Sequence, residues 1–134
     1  YDLFENTAQD LGHWTSIRVF GGIQGGPADD WQNWMGQSNL TGIGAIVTIR
    51  TNQGSQIRHV SGGSGTGVQD SMYLHFGLGN AETINSIEVL FPGGNTIIVE
   101  DVAADQQIWL HEDGSMEIGE LFPSHFLPPQ SLEE

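Results

Sequence analysis

Apolar and polar residues alternate along much of this chain, and the clearest instance is Ser71–Gly79. There Met72, Leu74, Phe76 and Leu78 interleave with Tyr73, His75 and Gly77. A strand turns successive side chains to opposite faces, so this run has one wholly apolar face. Its apolarity predicts a strand at the centre of a sheet, and Gly77 and Gly79 predict a bulge or a close backbone approach near its end. The same period of two recurs through the chain. It predicts strands over His13–Phe20, Gly42–Thr51, Ser55–Ser61, Ile84–Phe91, Thr96–Glu100 and Gln106–Glu112. Asn52-Gln53-Gly54 and Pro92-Gly93-Gly94-Asn95 read as turns between them. About seven short strands separated by turn signals predict an all-β fold, an antiparallel sandwich or partly closed barrel.

Helix is expected to be minor. Gly21–Gly36 is a glycine-rich excursion in which Asp29 or Asp30 can cap a single helical turn that puts Trp31 and Trp34 on one face. Residues 1–11 read as an extended lead-in, residues 12–112 as the β domain, and residues 113–134 as a proline-containing tail. That tail holds Leu121, Phe122, Phe126 and Leu127, which would be an aggregation hazard in water and so call for a docking surface.

Charge narrows the choice of partners. Three arginines stand against seventeen acidic residues, a formal charge of −14. Such a field repels phosphate backbones and anionic lipid, which argues against nucleic acid and membrane insertion. There is no lysine for Schiff-base or P-loop chemistry, and no cysteine for disulfides, thiolate catalysis or thiolate zinc sites.

Several segments occur in a telling order: His13-Trp14, Ser38-Asn39, Gly42-Ile43-Gly44-Ala45, Gln56-Ile57-Arg58, Gly63-Ser64-Gly65, Leu74-His75-Phe76-Gly77-Leu78-Gly79, Phe91-Pro92-Gly93-Gly94 and Val102-Ala103-Ala104-Asp105-Gln106. Over residues 12–112 the chain resembles the ASPIC/UnbV domain, named after an acidic secreted protein of cartilage. The resemblance implies a domain at the C-terminal end of a secreted or surface protein, after calcium-binding propeller repeats. Tyr1-Asp2-Leu3-Phe4-Glu5-Asn6-Thr7 looks like the last strand of such a repeat. It further implies an extracellular, adhesive setting and supplies no catalytic residues. Where relatives often carry arginine, after Ser-Asn and after Gly-Ile-Gly-Ala, this chain has Leu40 and Ile46.

The acids invite a glycosidase reading. Glu88, Glu100, Asp101, Asp105, Glu112 and Asp113 are available, but no spacing singles out the facing pair, one with a raised pKa, that hydrolysis needs. Asp29-Asp30, or Asp101 with Asp105, offer oxygen ligands for Ca²⁺, without an EF-hand pattern; no other cofactor is expected. The five histidines form no zinc motif, and His75 reads as a structural histidine among core residues. Ser64 lacks a nucleophile elbow. Asn39-Leu40-Thr41 is a glycosylation acceptor triplet.

The stronger candidates are apolar. Trp31, Trp34 and Trp109 can stack on sugars or anchor protein contacts, or else cap the ends of the core. Leu121, Phe122 and Phe126 can contact a partner, and open sheet edges can accept a strand from another copy. The expected function is therefore a non-enzymatic extracellular or cell-surface module. It would contact protein or glycan ligands, or copies of itself in a surface assembly. A carboxylate-based glycan hydrolase and a folding cap of a longer propeller protein are the alternatives.

Overall fold

The computed structural model describes residues 11–22 and 38–119. Eight strands make up their regular structure: β1 (His13–Phe20), β2 (Ile46–Thr51), β3 (Gly54–His59), β4 (Leu74–Gly79), β5 (Thr83–Leu90), β6 (Thr96–Ala103), β7 (Gln106–His111) and β8 (Met116–Gly119). They form two four-stranded sheets, ordered β4-β1-β7-β8 and β3-β2-β5-β6. The architecture is an all-β sandwich that does not close into a barrel, and among the described residues there is no helix.

The alternating positions meet between the sheets. Ile17, Val19, Phe76, Leu78, Ile108 and Leu110 come from one sheet, and Val47, Ile49, Ile84, Ile87 and Val89 from the other. All are at most 2% exposed. Phe91 and Ala45 extend this core just beyond the strand ends. Burial of such side chains stabilises by about 1.5–3 kcal/mol each, which makes this layer the main source of fold stability.

Three expectations are corrected by the topology. β4 pairs only with β1 and lies at the edge of its sheet, whereas β1 and β7 are central. Alternation reports that one face is buried, which holds for edge and central strands alike. Secondly, the sandwich is not wholly antiparallel. β1 and β7 run parallel, with Thr15 opposite Gln106 and Phe20 opposite His111. A parallel neighbour requires a long crossover, and residues 21–105 intervene between these two strands. Thirdly, β8 lies beyond the expected domain boundary at residue 112. The Asp113-Gly114 turn folds it back onto β7, with Leu110 opposite Met116, so the sheet continues to Gly119.

Local detail follows the glycines. The register of β4 slips against β1 between His13 and Trp14, leaving Leu78 as the bulged residue in the Gly77–Gly79 run. Upstream, β2 starts at Ile46 rather than Gly42. Gly42 adopts φ +67°, a left-handed conformation that breaks the extended run. A Cβ at Gly42 would also lie 2.6 Å from Val19 Cγ2 and 2.8 Å from the Val19 carbonyl oxygen. The backbone nevertheless keeps pairing past the strand, with Gly44 N–H bonded to Val60 O and Val60 N–H to Ala45 O.

Gly42→Ala therefore combines left-handed strain with overpacking against β1, and should destabilise the domain by about 2–4 kcal/mol. Urea unfolding midpoints of the two proteins, at unchanged slope, measure this directly.

Candidate functional site

β1 ends at Phe20 and the chain departs after Gly22; it is described again from Ser38. Both ends of this excursion are tied to one carboxylate. Glu112, immediately after β7, is only 8% exposed. Its Oε2 accepts hydrogen bonds from Gly22 N–H at 2.7 Å and Ser38 N–H at 3.1 Å. Its Oε1 accepts from the Ser38 hydroxyl and from the Asn95 side-chain amide, each at 3.0 Å. Ser38 Oγ in turn accepts the Gly93 N–H at 2.9 Å. The backbone joins in, with Glu112 N–H donating to Phe20 O. One acid thus fastens the end of β1, the segment leading to β2, the β5–β6 turn and the end of β7.

The fit is close. A Cβ on Gly21 would overlap the Asn39 carbonyl oxygen, so glycine lets the two feet of the excursion touch. The next residues are braced by Asn39. Its Oδ1 accepts from Ile43 N–H and the Thr41 hydroxyl, and its Nδ2 donates to Ile43 O at 2.7 Å. As a glycosylation candidate, Asn39 is exposed, but its carboxamide is already the brace of this turn. Leu40 and Ile46 are 69% and 40% exposed.

Beside this hub, the outward face of β1 and β7 carries an aromatic cluster. Phe20 stacks on His111 with centroids 5.0 Å apart and meets Trp109 edge-on at 5.9 Å. The Arg18 guanidinium lies 4.7 Å from the Phe20 ring centre and 5.3 Å from that of Tyr73. His111, 4% exposed, has Nε2 3.5 Å from Glu117. Trp109 is half-buried and sits on the outer face, opposite Ile108 and Leu110, not at an end of the core.

The remaining candidates disperse. Asp105, at the corner between β6 and β7, is bound to His13 Nδ1 at 2.6 Å and to Trp14 N–H. Asp101 is exposed on β6. Among the described residues, no three His, Asp or Glu side chains converge as metal ligands. Glu88 pairs with Arg50 at 3.0 Å, and Asp113 accepts both the N–H and the hydroxyl of Ser115. His75 is exposed rather than structural, because the face of β4 that carries it looks away from the core. Trp31, Trp34, Asp29, Asp30, Leu121, Phe122 and Phe126 lie outside the described residues. Two open polar grooves, of about 180 and 290 Å³, flank the β2–β3 turn and the β4–β5 link; Glu82 is the one carboxylate among their lining residues.

The electrostatics of these acids follow their hydrogen bonds. Burial raises the Glu112 pKa, but the hydrogen bonds from Gly22, Ser38 and Asn95 outweigh it and hold the carboxyl below its ordinary value. The hydrogen bond from His13 lowers Asp105, and those from Ser115 lower Asp113. Glu112 is the anchoring residue that sequence reasoning left undistinguished among six acids. Its donors are scattered along the chain, and only the fold collects them.

A family model described as ASPIC and UnbV matches residues 35–117, well over half of the chain. The match takes in Ser38, Gly93, Asn95 and Glu112. No curated protein and no solved structure matches the chain.

Since Glu112 is more acidic folded than its ordinary value of 4.5, its contribution is full at neutral pH. It drains away as pH falls from that value through the folded pKa. Glu112→Gln should cost about 2–3 kcal/mol at pH 7 by leaving donors facing donors. The gap between the two proteins in urea unfolding should narrow on acidification below pH 4.5.

Proposed function

The chain belongs to the ASPIC and UnbV family, and on that premise we propose that it is a non-enzymatic contact module of an extracellular or cell-surface protein. It presents the excursion between Gly22 and Ser38, and its exposed sheet edges, to protein or glycan partners and to copies of itself. The observation that carries this reading is the double anchoring of Gly22 and Ser38 on Glu112 Oε2. Fixing both feet reduces the conformational entropy that a binding segment must lose on engagement. The segment so held contains two tryptophans, Trp31 and Trp34, a residue type that dominates recognition of both sugars and proteins.

The electrostatics favour contact over hydrolysis. A general acid for glycoside cleavage needs a raised pKa. The three carboxylates with resolved shifts, Asp105, Glu112 and Asp113, are all lowered. Each is committed to hydrogen bonds within the fold. The acidic field, −14 overall, suits partners with basic or neutral polar surfaces and disfavours polyanions.

Titration of a panel of glycans and matrix proteins, followed by tryptophan fluorescence, should reveal a ligand whose signal is lost in Trp31→Ala or Trp34→Ala. Glu112→Gln should weaken the same ligand while leaving the sheet signature in circular dichroism. Turnover of a glycan, abolished by a single Asp or Glu substitution, would instead establish the hydrolase reading.

A further inference from the structure

The two sheets have four edge strands, and they are not equivalent. β3 and β4 guard each other: Gln56 Nε2 donates to Gly77 O at 2.6 Å, and Arg58 Nε donates to His75 O at 2.8 Å. Side chains of β3 thereby occupy carbonyls that β4 would offer to a new strand. β8 has only four residues. β6 has eight, and among the described residues it pairs with β5 alone.

The phase of its ladder follows from the turn. Phe91 N–H bonds to Asn95 O, and antiparallel pairing alternates by two residues, so the main-chain groups of Ile97 and Val99 face β5. Those of Thr96, Ile98 and Glu100 face outward. This stretch contains no proline or lysine, two of the usual blunting devices of an edge, and its one charged residue, Glu100, lies at its end. Ile98 is 61% exposed. At Asp101 φ becomes +54°, which breaks the extended conformation and bounds the open edge at Glu100.

We propose that β6 pairs antiparallel with β6 of a second copy across a two-fold axis at Ile98, joining two four-stranded sheets into one of eight. The sequence is self-complementary in this register. Ile98 faces its own copy, and Thr96 faces Glu100, so each carboxylate meets a hydroxyl. Centring on Glu100 would oppose carboxylate to carboxylate, and centring on Thr96 would set Ile98 against Gly94. Two bodies of −14 repel at long range, so the seam strengthens as salt screens that field. This inference rests on the contact-module reading and names the edge through which copies meet.

The test is sedimentation velocity of the full chain over a concentration series at low and high NaCl, with Ile98→Lys and, as control, Ile118→Lys. Ile118 is 56% exposed on β8, so both changes are on the surface. The expected result is a salt-favoured dimer that Ile98→Lys weakens at least about tenfold, through like charges facing across the axis, and that Ile118→Lys leaves intact. In amide exchange, Thr96, Ile98 and Glu100 should become protected with concentration. An oligomer that Ile98→Lys does not weaken, or that both variants weaken equally, overturns the β6 seam and leaves self-association standing. Protection of those amides only when a foreign extended peptide is added assigns the edge to another chain and also overturns it. A monomer under every condition removes the seam and the self-assembly arm of the reading together.

Discussion

A single buried carboxylate holds one end of this domain together. Glu112 receives four hydrogen bonds from three separate parts of the chain, and no positively charged side chain is among its donors. Charge-assisted bonds of this kind are roughly twice as strong as neutral ones, and the surrounding low dielectric strengthens them further. The same burial makes partial satisfaction costly. Gly22, Ser38 and Asn95 must therefore arrive together, and the ends of β1 and β7, the β5–β6 turn and the lead into β2 become one cooperative unit.

This hub also explains which sequence features were informative. Ser38-Asn39, Gly42-Ile43-Gly44-Ala45 and Phe91-Pro92-Gly93-Gly94 are far apart in the chain. In space Ser38 binds Glu112 and Gly93, Asn39 braces Ile43, and Gly42 packs on Val19. The motifs that suggest a family are the walls of one polar knot and the turn beside it. Their glycines and short polar side chains are what close backbone approach and carboxylate solvation require. Glu112 itself is invisible by the same logic, since an acid after a strand resembles any surface acid until its donors converge.

The strands were legible for a different reason. His13–Phe20 and Gln106–His111 stand where alternation puts them, because one-sided burial imprints a period of two. Pairing leaves no such imprint. Nothing in Leu74–Gly79 distinguishes an edge from a centre, and nothing local in β1 announces a parallel partner more than eighty residues away, Ser16 beside Gln107. β8 escaped because its four residues alternate weakly, Met116 and Ile118 both being exposed. The excursion at Gly21–Gly36 and the tail's apolar residues are legible as composition alone.

Between them, the knot and the edges give the sandwich a polarity. On one side, Gln56 and Arg58 stitch β3 to the carbonyls of β4, and the Arg58 guanidinium lies 5.2 Å from the Phe76 ring. That seam couples the two sheets and removes two edges from competition for partners. Of the three arginines, Arg58 serves this seam, Arg50 pairs with Glu88, and Arg18 lies over Phe20 and Tyr73. Every arginine is thus engaged within the fold, and the net charge of −14 gives the molecule a field that disfavours polyanions. Exposed backbone and apolar groups are what remains for the contacts proposed above. Among the described residues they include the outward main chain of β6 with Ile98, and Leu40 beside the Glu112 knot. A domain built this way holds its stability in the core and the seam, so that, on the proposed reading, recognition can change in a loop or an edge without disturbing either.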